Sequence, residues 1–171
     1  CPHFPAAAPV MLELQGYQTP DFVAVIFEGE SVTYGQLLRS SLALAMELKG
    51  HPVGPESIVG LCVQKSVEEV VGMVGIMRAC AAYVPLDPRL PIDRLKYLAQ
   101  QCMSRVVVTQ QRHSEYVHAL ELPVLVAETV LHSTNTAVCL LESANTQCRL
   151  SDLAYVLFTS GSTGAPKGVM I

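Results

Sequence analysis

The chain has 171 residues, of which 50% are hydrophobic and 15% are charged, so it can form a folded domain with a core and is unlike a disordered segment. Its net charge of -4 offers no basic surface of the kind that nucleic-acid-binding domains use. The longest apolar run, residues 70–77, ends at Arg78 and is far shorter than the ~20 residues that span a membrane. We therefore expect neither a nucleic acid nor a membrane as a partner.

The cysteines occur without CxxC spacing and without His or Cys neighbours at metal-ligand spacing. This pattern predicts buried free thiols in a reducing compartment, no metal site and no disulfide framework. The first residues lack the basic start and apolar segment of a signal peptide, which favours a cytoplasmic location. They also lack an initiator Met, so we expect the chain to begin within a longer protein. The six cysteines are Cys1, Cys62, Cys80, Cys102, Cys139 and Cys148.

Along the chain, short β-branched runs alternate with stretches of helical apolar spacing. Residues 1–14 are interpreted as a linker or lead-in. Strands are predicted over residues 22–27, 31–34, 58–63, 82–84, 105–109, 123–127 and 153–159, the first two as a hairpin. Helices are predicted over residues 36–49, 66–79, 93–101 and 114–120, the second capped by Ser66 with Glu69 completing a capping box. Residues 129–149 are expected to contain loops. The alternation predicts an α/β fold with a largely parallel sheet, in which ligands gather at the carboxyl ends of strands.

The segment directly after the last predicted strand carries the strongest chemical signal. Residues 159–168 read Thr-Ser-Gly-Ser-Thr-Gly-Ala-Pro-Lys-Gly. Three glycines allow close approach of the backbone to a ligand, consecutive N–H groups can form an anion-binding nest, and four hydroxyl groups add hydrogen-bond donors. Lys167 adds a positive charge suited to phosphate.

The spacing around Lys167 is wrong for a Walker loop, which requires Gly-Lys followed by Ser or Thr. Here Pro166 precedes the lysine and Gly168 follows it, which argues against a P-loop NTPase. A flexible Ser/Gly linker is the alternative interpretation, but it leaves the apolar strand and the Pro-Lys-Gly sequence unexplained.

Residues 153–168 as a whole resemble the phosphate-loop signature of adenylate-forming enzymes. This family includes acyl-CoA synthetases, luciferases and the adenylation domains of nonribosomal peptide synthetases. Two further stretches resemble core motifs of the peptide-synthetase branch. Residues 32–37 resemble the first motif, with Gln36 where an acidic residue is usual. Residues 77–88 resemble the second, with Cys80 where Gly is usual, and Pro91 and Arg94 follow at the expected spacing.

The resemblance implies that residues 15–171 are the N-terminal portion of the large domain of an adenylation enzyme, truncated after the phosphate loop. The parent protein would be an ATP-dependent ligase, with Mg²⁺, that converts a carboxylic acid, most simply an amino acid, into an acyl-adenylate. The acyl group would then pass to a phosphopantetheine thiol on a carrier domain in the same polypeptide. No catalytic residue and no metal ligand are expected within this chain, and the chain alone is expected to be inactive. The implied phosphate-binding residues are Thr159, Ser160, Gly161, Ser162, Thr163, Gly164 and Lys167.

Other residues of these motifs are interpreted as architectural. Asp87 before Pro88 is typical of a turn, Arg94 is expected to pair with a carboxylate, and Tyr83 and Pro85 are also interpreted as architectural. All five histidines are interpreted as non-catalytic because none forms a metal-binding pair. Two alternatives stay open: an acyl-CoA synthetase-like ligase, and a non-catalytic remnant that binds nucleotide or a partner protein.

Overall fold

A computed structural model describes residues 7–131, 148–159 and 167–171 of the chain. Its strands are β1 (Val23–Phe27), β2 (Glu30–Thr33), β3 (Ile58–Cys62), β4 (Ala82–Pro85), β5 (Val107–Thr109), β6 (Val124–Val126), β7 (Val156–Thr159) and β8 (Lys167–Met170). Its helices are α1 (Ala8–Gln18), α2 (Tyr34–Lys49), α3 (Val67–Arg78), α4 (Ile92–Gln101), α5 (Ser114–His118) and α6 (Ala127–Leu131), with a 3-10 turn at Gln111–His113.

The central sheet has four parallel strands in the order β4-β3-β5-β6. Helix α3 connects β3 to β4 on one side, and α4 carries the chain back across β3 to β5 on the other side. The strand order therefore reverses between β3 and β5. In open parallel sheets this reversal creates a crevice at the carboxyl ends of the two strands. The predicted α/β fold with a largely parallel sheet is confirmed.

Alternate residues of the buried strands supply the two halves of the core. Val59 and Leu61 of β3 pack with Val108 of β5 against α2 and α3, in a cluster that includes Leu44 and Ile76. Cys62 and Val107 point the other way, toward α4 and α5, in a second cluster that also receives Val156 of β7. This period of two buries both faces of the sheet, as expected for parallel strands.

A tight hairpin joins β1 to β2, as predicted. Glu28 has φ 48° and Gly29 has φ 89°, so both central residues are left-handed, and Phe27 pairs with Glu30 across the turn. Two successive left-handed residues match the twist of the flanking antiparallel strands. The hairpin leads directly into α2, and Ala24 and Val25 pack with Val71 of α3.

Helix α1 corrects the expectation for the lead-in. Residues 8–14, interpreted as part of a linker, belong to a helix that begins beside Pro9 and continues to Gln18. Glu13 and Gly16 of this helix are buried against the domain.

Within residues 129–149, where loops were expected, α6 continues to Leu131, and residues 132–147 lie outside the described part of the chain.

Candidate functional site

Strand β7, which leads into the predicted phosphate loop, lies against the edge of the central sheet at β4. Tyr83 and Tyr155 form a parallel bridge, and the Tyr83 backbone N–H donates a hydrogen bond to the Ala154 carbonyl at 3.2 Å. Their rings stack with centroids 5.5 Å apart. Burial, and then the neighbouring Tyr155, raise the pKa of Tyr83 above its usual value. The motif residue Tyr83 therefore fixes the strand that carries the loop, which agrees with its predicted architectural role.

The two ends of the predicted loop are held side by side. Strand β8 pairs with β7 in antiparallel register, so that Thr159 lies opposite Lys167 and Val156 opposite Met170. The Thr159 hydroxyl donates to the Lys167 carbonyl at 3.4 Å. Both residues are exposed. Thr159, at the end of β7, and Lys167, at the start of β8, can therefore contact the same ligand.

Of the seven predicted binding residues, the structure describes two and brings them together. Thr159 and Lys167 are adjacent across the β7–β8 pair. The other five, Ser160, Gly161, Ser162, Thr163 and Gly164, lie outside the described residues. Their assignment to phosphate binding stays a prediction. Strand β8 was not predicted, although Val169-Met170-Ile171 is an apolar run that could have indicated it.

The crevice where the strand order reverses holds a polar cluster that no sequence motif indicated. The buried Gln110 side chain, just after β5, accepts hydrogen bonds from Gln64 N at 2.9 Å and from Arg112 at 3.0 Å. Its amide nitrogen lies 3.1 Å from Ser66 Oγ and 3.4 Å from Glu68. Both the oxygen and the nitrogen of the Gln110 amide are used in these contacts. The side chain therefore connects the segment after β5 to the segment after β3.

Asp87 takes the architectural place that was predicted for it, whereas Arg94 makes a different contact from the one expected. Asp87 accepts from Arg89 N at 3.0 Å and its carbonyl accepts from Leu90 N at 2.9 Å, so it forms a turn after β4. The Arg89 side chain binds the same carboxylate and lowers the pKa of Asp87. Arg94 was expected to pair with a carboxylate. Its guanidinium instead lies 5.3 Å from the centre of the Tyr97 ring, a cation–π contact one helical turn away.

The described cysteines, Cys62, Cys80, Cys102 and Cys148, are all free thiols, and the predicted burial holds for only two of them. Cys62 and Cys102 are buried, whereas Cys80 and Cys148 are half-buried. Burial, with a smaller contribution from the charge of Asp87, raises the pKa of Cys62 to about 12, so it is an inert core thiol.

Within residues 7–131, 148–159 and 167–171, no three His, Cys, Asp or Glu side chains lie close enough together to hold a metal ion.

The two departures from the motifs have local explanations. Gln36 accepts from Thr33 N at 2.8 Å, and Gln36 N donates to Thr33 Oγ1 at 3.3 Å, so glutamine completes the capping box of α2 as an acidic residue would. Cys80 has φ 57° just after α3, a conformation that glycine adopts with least strain. Both departures thus affect helix ends, away from Thr159 and Lys167.

A parallel α/β sheet whose edge strand leads into a segment of Ser, Thr and Gly closed by a lysine is typical of enzymes that bind phosphate groups. Residues 12–171 match the AMP-binding enzyme family, and the chain belongs to that family. The resemblance to adenylate-forming enzymes is therefore confirmed.

The relatives place the chain with peptide synthetases. Surfactin synthase subunit 2 of Bacillus subtilis (strain 168) is 39% identical over 161 residues, covering 94% of this chain and 4% of that protein. Gramicidin S synthase 2 of Brevibacillus brevis is 40% identical over 161 residues, with the same two shares, 94% and 4%. The solved structure of the nonribosomal peptide synthetase FmoA3 in its α-methyl-L-serine-AMP bound form has a TM-score of 0.78 and 30% identity, covering 95% of this chain and 18% of that chain. The chain thus spans a small fraction of the length of these proteins.

None of the described helices is long and apolar enough to cross a membrane.

Proposed function

We propose that this chain contributes the ATP-phosphate-binding part of a ligase that activates an amino acid as its acyl-adenylate. The observation that carries the proposal is the pairing of Thr159 with Lys167, which holds both ends of the Ser/Thr/Gly segment at the end of an edge strand. Family membership supports ATP as the nucleotide. The named relatives, and the α-methyl-L-serine-AMP bound to FmoA3, support an amino acid as the second substrate.

In the proposed reaction, the substrate carboxylate attacks the α-phosphorus of ATP and pyrophosphate leaves. The segment from Thr159 to Lys167 holds the β- and γ-phosphates while charge moves onto the leaving group. Lys167 supplies a positive charge, and the hydroxyl and backbone N–H groups of residues 159–164 supply hydrogen-bond donors for the phosphates. The acyl group then passes to a phosphopantetheine thiol on a carrier domain.

Mg²⁺ accompanies ATP in this proposal as the ion that neutralises its phosphates. The described residues do not provide a carboxylate cluster for it, since no group of three or more metal-binding side chains lies together there. We therefore assign no Mg²⁺ ligand among residues 7–131, 148–159 and 167–171. We also propose that the chain on its own does not catalyse adenylation.

The direct test is ATP–pyrophosphate exchange in the longest native polypeptide that contains these residues, with panels of amino acids and of fatty acids. Exchange that depends on an amino acid supports the proposal, exchange that depends on a fatty acid favours an acyl-CoA synthetase-like ligase, and nucleotide binding without exchange favours a non-catalytic remnant. Lys167→Ala should lower ATP affinity about 10- to 100-fold, since a charge-assisted contact contributes ~1.5–3 kcal/mol.

Two controls make this test specific to the proposed site. Lys49→Ala removes an exposed lysine at the end of α2 and should leave ATP binding unchanged. Thr159→Val keeps the shape and strand preference of threonine and removes its hydroxyl, so it should weaken ATP binding without changing the melting temperature. Equal ATP affinity in the native chain, Lys167→Ala and Thr159→Val would exclude a phosphate role for both residues.

A further inference from the structure

Helix α3 ends in a turn that places a cysteine where glycine is favoured. The Cys80 N–H donates to the Met77 carbonyl at 3.0 Å, and the Ala81 N–H donates to the Ile76 carbonyl at 3.2 Å. These two hydrogen bonds define a Schellman motif, whose left-handed position is Cys80 with φ 57°. A side chain at this position is strained, because the left-handed conformation favours glycine.

The thiol of Cys148 reaches the same helix end from a distant part of the chain. Its S–H donates to the Met77 carbonyl at 3.1 Å, and its sulfur lies 2.8 Å from the sulfur of Cys80, 68 residues earlier. Because the one proton of Cys148 is directed at Met77, Cys80 is the donor between the two sulfurs. A disulfide bond has a length of about 2.05 Å, so the sulfurs need to approach by only about 0.75 Å to form one.

Small reagents can reach this pair of thiols. A cleft of about 170 Å³ is lined by both cysteines together with Met77, Leu150 and Ala154. Cys80 and Cys148 are each half-buried, in contrast to the buried Cys62 and Cys102. Among the described cysteines, Cys80 and Cys148 are therefore the pair whose sulfurs are both close together and accessible to a reagent.

We propose that Cys80 and Cys148 are a reversible redox-modification site that forms an intramolecular disulfide with a low-molecular-weight disulfide as oxidant. The Cys80 thiolate attacks one sulfur of the oxidant and releases one small thiol, which leaves a mixed disulfide on Cys80. Cys148 then loses its proton and attacks the Cys80 sulfur, which releases the second small thiol. Two protein thiols and one small disulfide thus become one protein disulfide and two small thiols.

The environment of Cys148 supports this order of attack. Burial, followed by the hydrogen bond and charge of Cys80 and the charge of Asp152, raises the pKa of Cys148 to about 12. Cys148 is therefore protonated at neutral pH and is assigned the second, intramolecular step, where proximity compensates for its small thiolate fraction.

The bond would connect the end of α3 to the segment that leads into β7. Residue 148 is followed within eight residues by Val156, the first residue of the strand that carries Thr159. The disulfide would close a loop of roughly 70 residues, and removal of that conformational freedom from the unfolded chain predicts a rise in melting temperature of about 10 °C. Oxidation would thus fix the strand on which the proposed phosphate loop depends.

The test is to oxidise the purified chain with glutathione disulfide, block remaining thiols with iodoacetamide and digest it with trypsin and a glutamate-specific protease. Cleavage after Arg78 and Arg89 isolates Cys80, and cleavage after Glu142 and Arg149 separates Cys148 from Cys139. The expected result is a peptide linking Cys80 to Cys148 at least about tenfold above any other pairing. Dithiothreitol should remove this link.

Variants and a denatured sample decide whether the native geometry is responsible. Cys139→Ser should keep both the link and the rise in melting temperature, whereas Cys80→Ser and Cys148→Ser should lose both. Separate glutathione adducts on Cys80 and Cys148, or an equal yield of the linked peptide from urea-denatured chain, would overturn the proposal. Because the readout is made on the native sequence and needs no nucleotide, it is independent of whether the proposed ligase function holds.

Discussion

Arg78, at the end of α3, forms a buried ion pair with Glu13 of α1, with Nη2 and Oε1 2.7 Å apart. The Arg78 side chain is 3% exposed and also donates to the Leu38 carbonyl at 2.6 Å and to Ser41 Oγ at 3.0 Å. One guanidinium therefore joins three helices. Burial lowers the pKa of Arg78, and the charge of Glu13 opposes that effect.

We expect Arg78→Met to destabilise the chain by about 3–5 kcal/mol, because it leaves the Glu13 carboxylate without this partner in a largely buried place. Urea unfolding followed by circular dichroism measures the change. The double variant with Glu13→Leu should be less destabilised than the sum of the two single variants, since it removes both charges. Arg89→Ala, in the exposed pair with Asp87, is the control and should leave the midpoint unchanged. A midpoint for Arg78→Met equal to that of Arg89→Ala would contradict this role.

The sequence was sufficient to predict the central sheet and most helices, but not α1, α6 or the pairing of β7 with β8. Strand β3 is a continuous apolar run, β5 is a continuous β-branched run, and α2 has clear helical spacing, so local pattern and tertiary structure agree. Helix α1 contains Gly16 and begins at a proline-containing stretch, and its residue Glu13 pairs with Arg78, 65 residues later. Such a contact has no local signal.

The candidate site, like the fold, was predicted only in part from the sequence. The residue types of the segment beginning at Thr159 indicated phosphate chemistry, because glycines, hydroxyls and a lysine serve that purpose in combination. The pairing of Thr159 with Lys167 could not be predicted, since it depends on the register between two short strands. The close approach of Cys80 and Cys148 likewise depends on how distant segments pack.

The close packing of α2 on α3 depends on Gly75. A Cβ atom at this position would lie 2.7 Å from Leu44 Cδ2 and 2.9 Å from Leu44 Cβ. We expect Gly75→Ala to destabilise the chain by about 1–2 kcal/mol, even though alanine favours the helix by about 1 kcal/mol. Chemical denaturation measures the change. Gly54→Ala is a matched control, since no atom lies within 4 Å of a Cβ built there. A stabilised Gly75→Ala would show that the helices separate easily.

The capping box of α2 predicts opposite effects for its two members. Thr33→Ala removes the acceptor for Gln36 N and should destabilise the chain by about 1 kcal/mol. Gln36→Glu keeps the bond to Thr33 N and adds a negative charge at the helix N-terminus, so it should stabilise the chain by about 0.3–1 kcal/mol at low salt. Thermal unfolding at two salt concentrations tests both, because only the second effect is screened. If Gln36→Glu lowers the melting temperature, glutamine has a role here beyond the cap.

Helix α4 ends as α3 does, but with an exposed methionine in the left-handed position. Met103 has φ 51° and is 76% exposed, its N–H donates to Gln100 O at 2.9 Å, and Ser104 N donates to Ala99 O at 2.9 Å. Relief of about 1–2 kcal/mol of left-handed strain exceeds the loss of about 0.5–1 kcal/mol that glycine brings through the unfolded state. Met103→Gly should therefore stabilise the chain by about 0.5–1 kcal/mol in urea unfolding. Met103→Ala removes the same side chain but keeps a Cβ atom, so it should show no gain. Equal stability of the two variants would mean that the strain at this helix end is negligible, and the glycine preference at Cys80 would then need another cause.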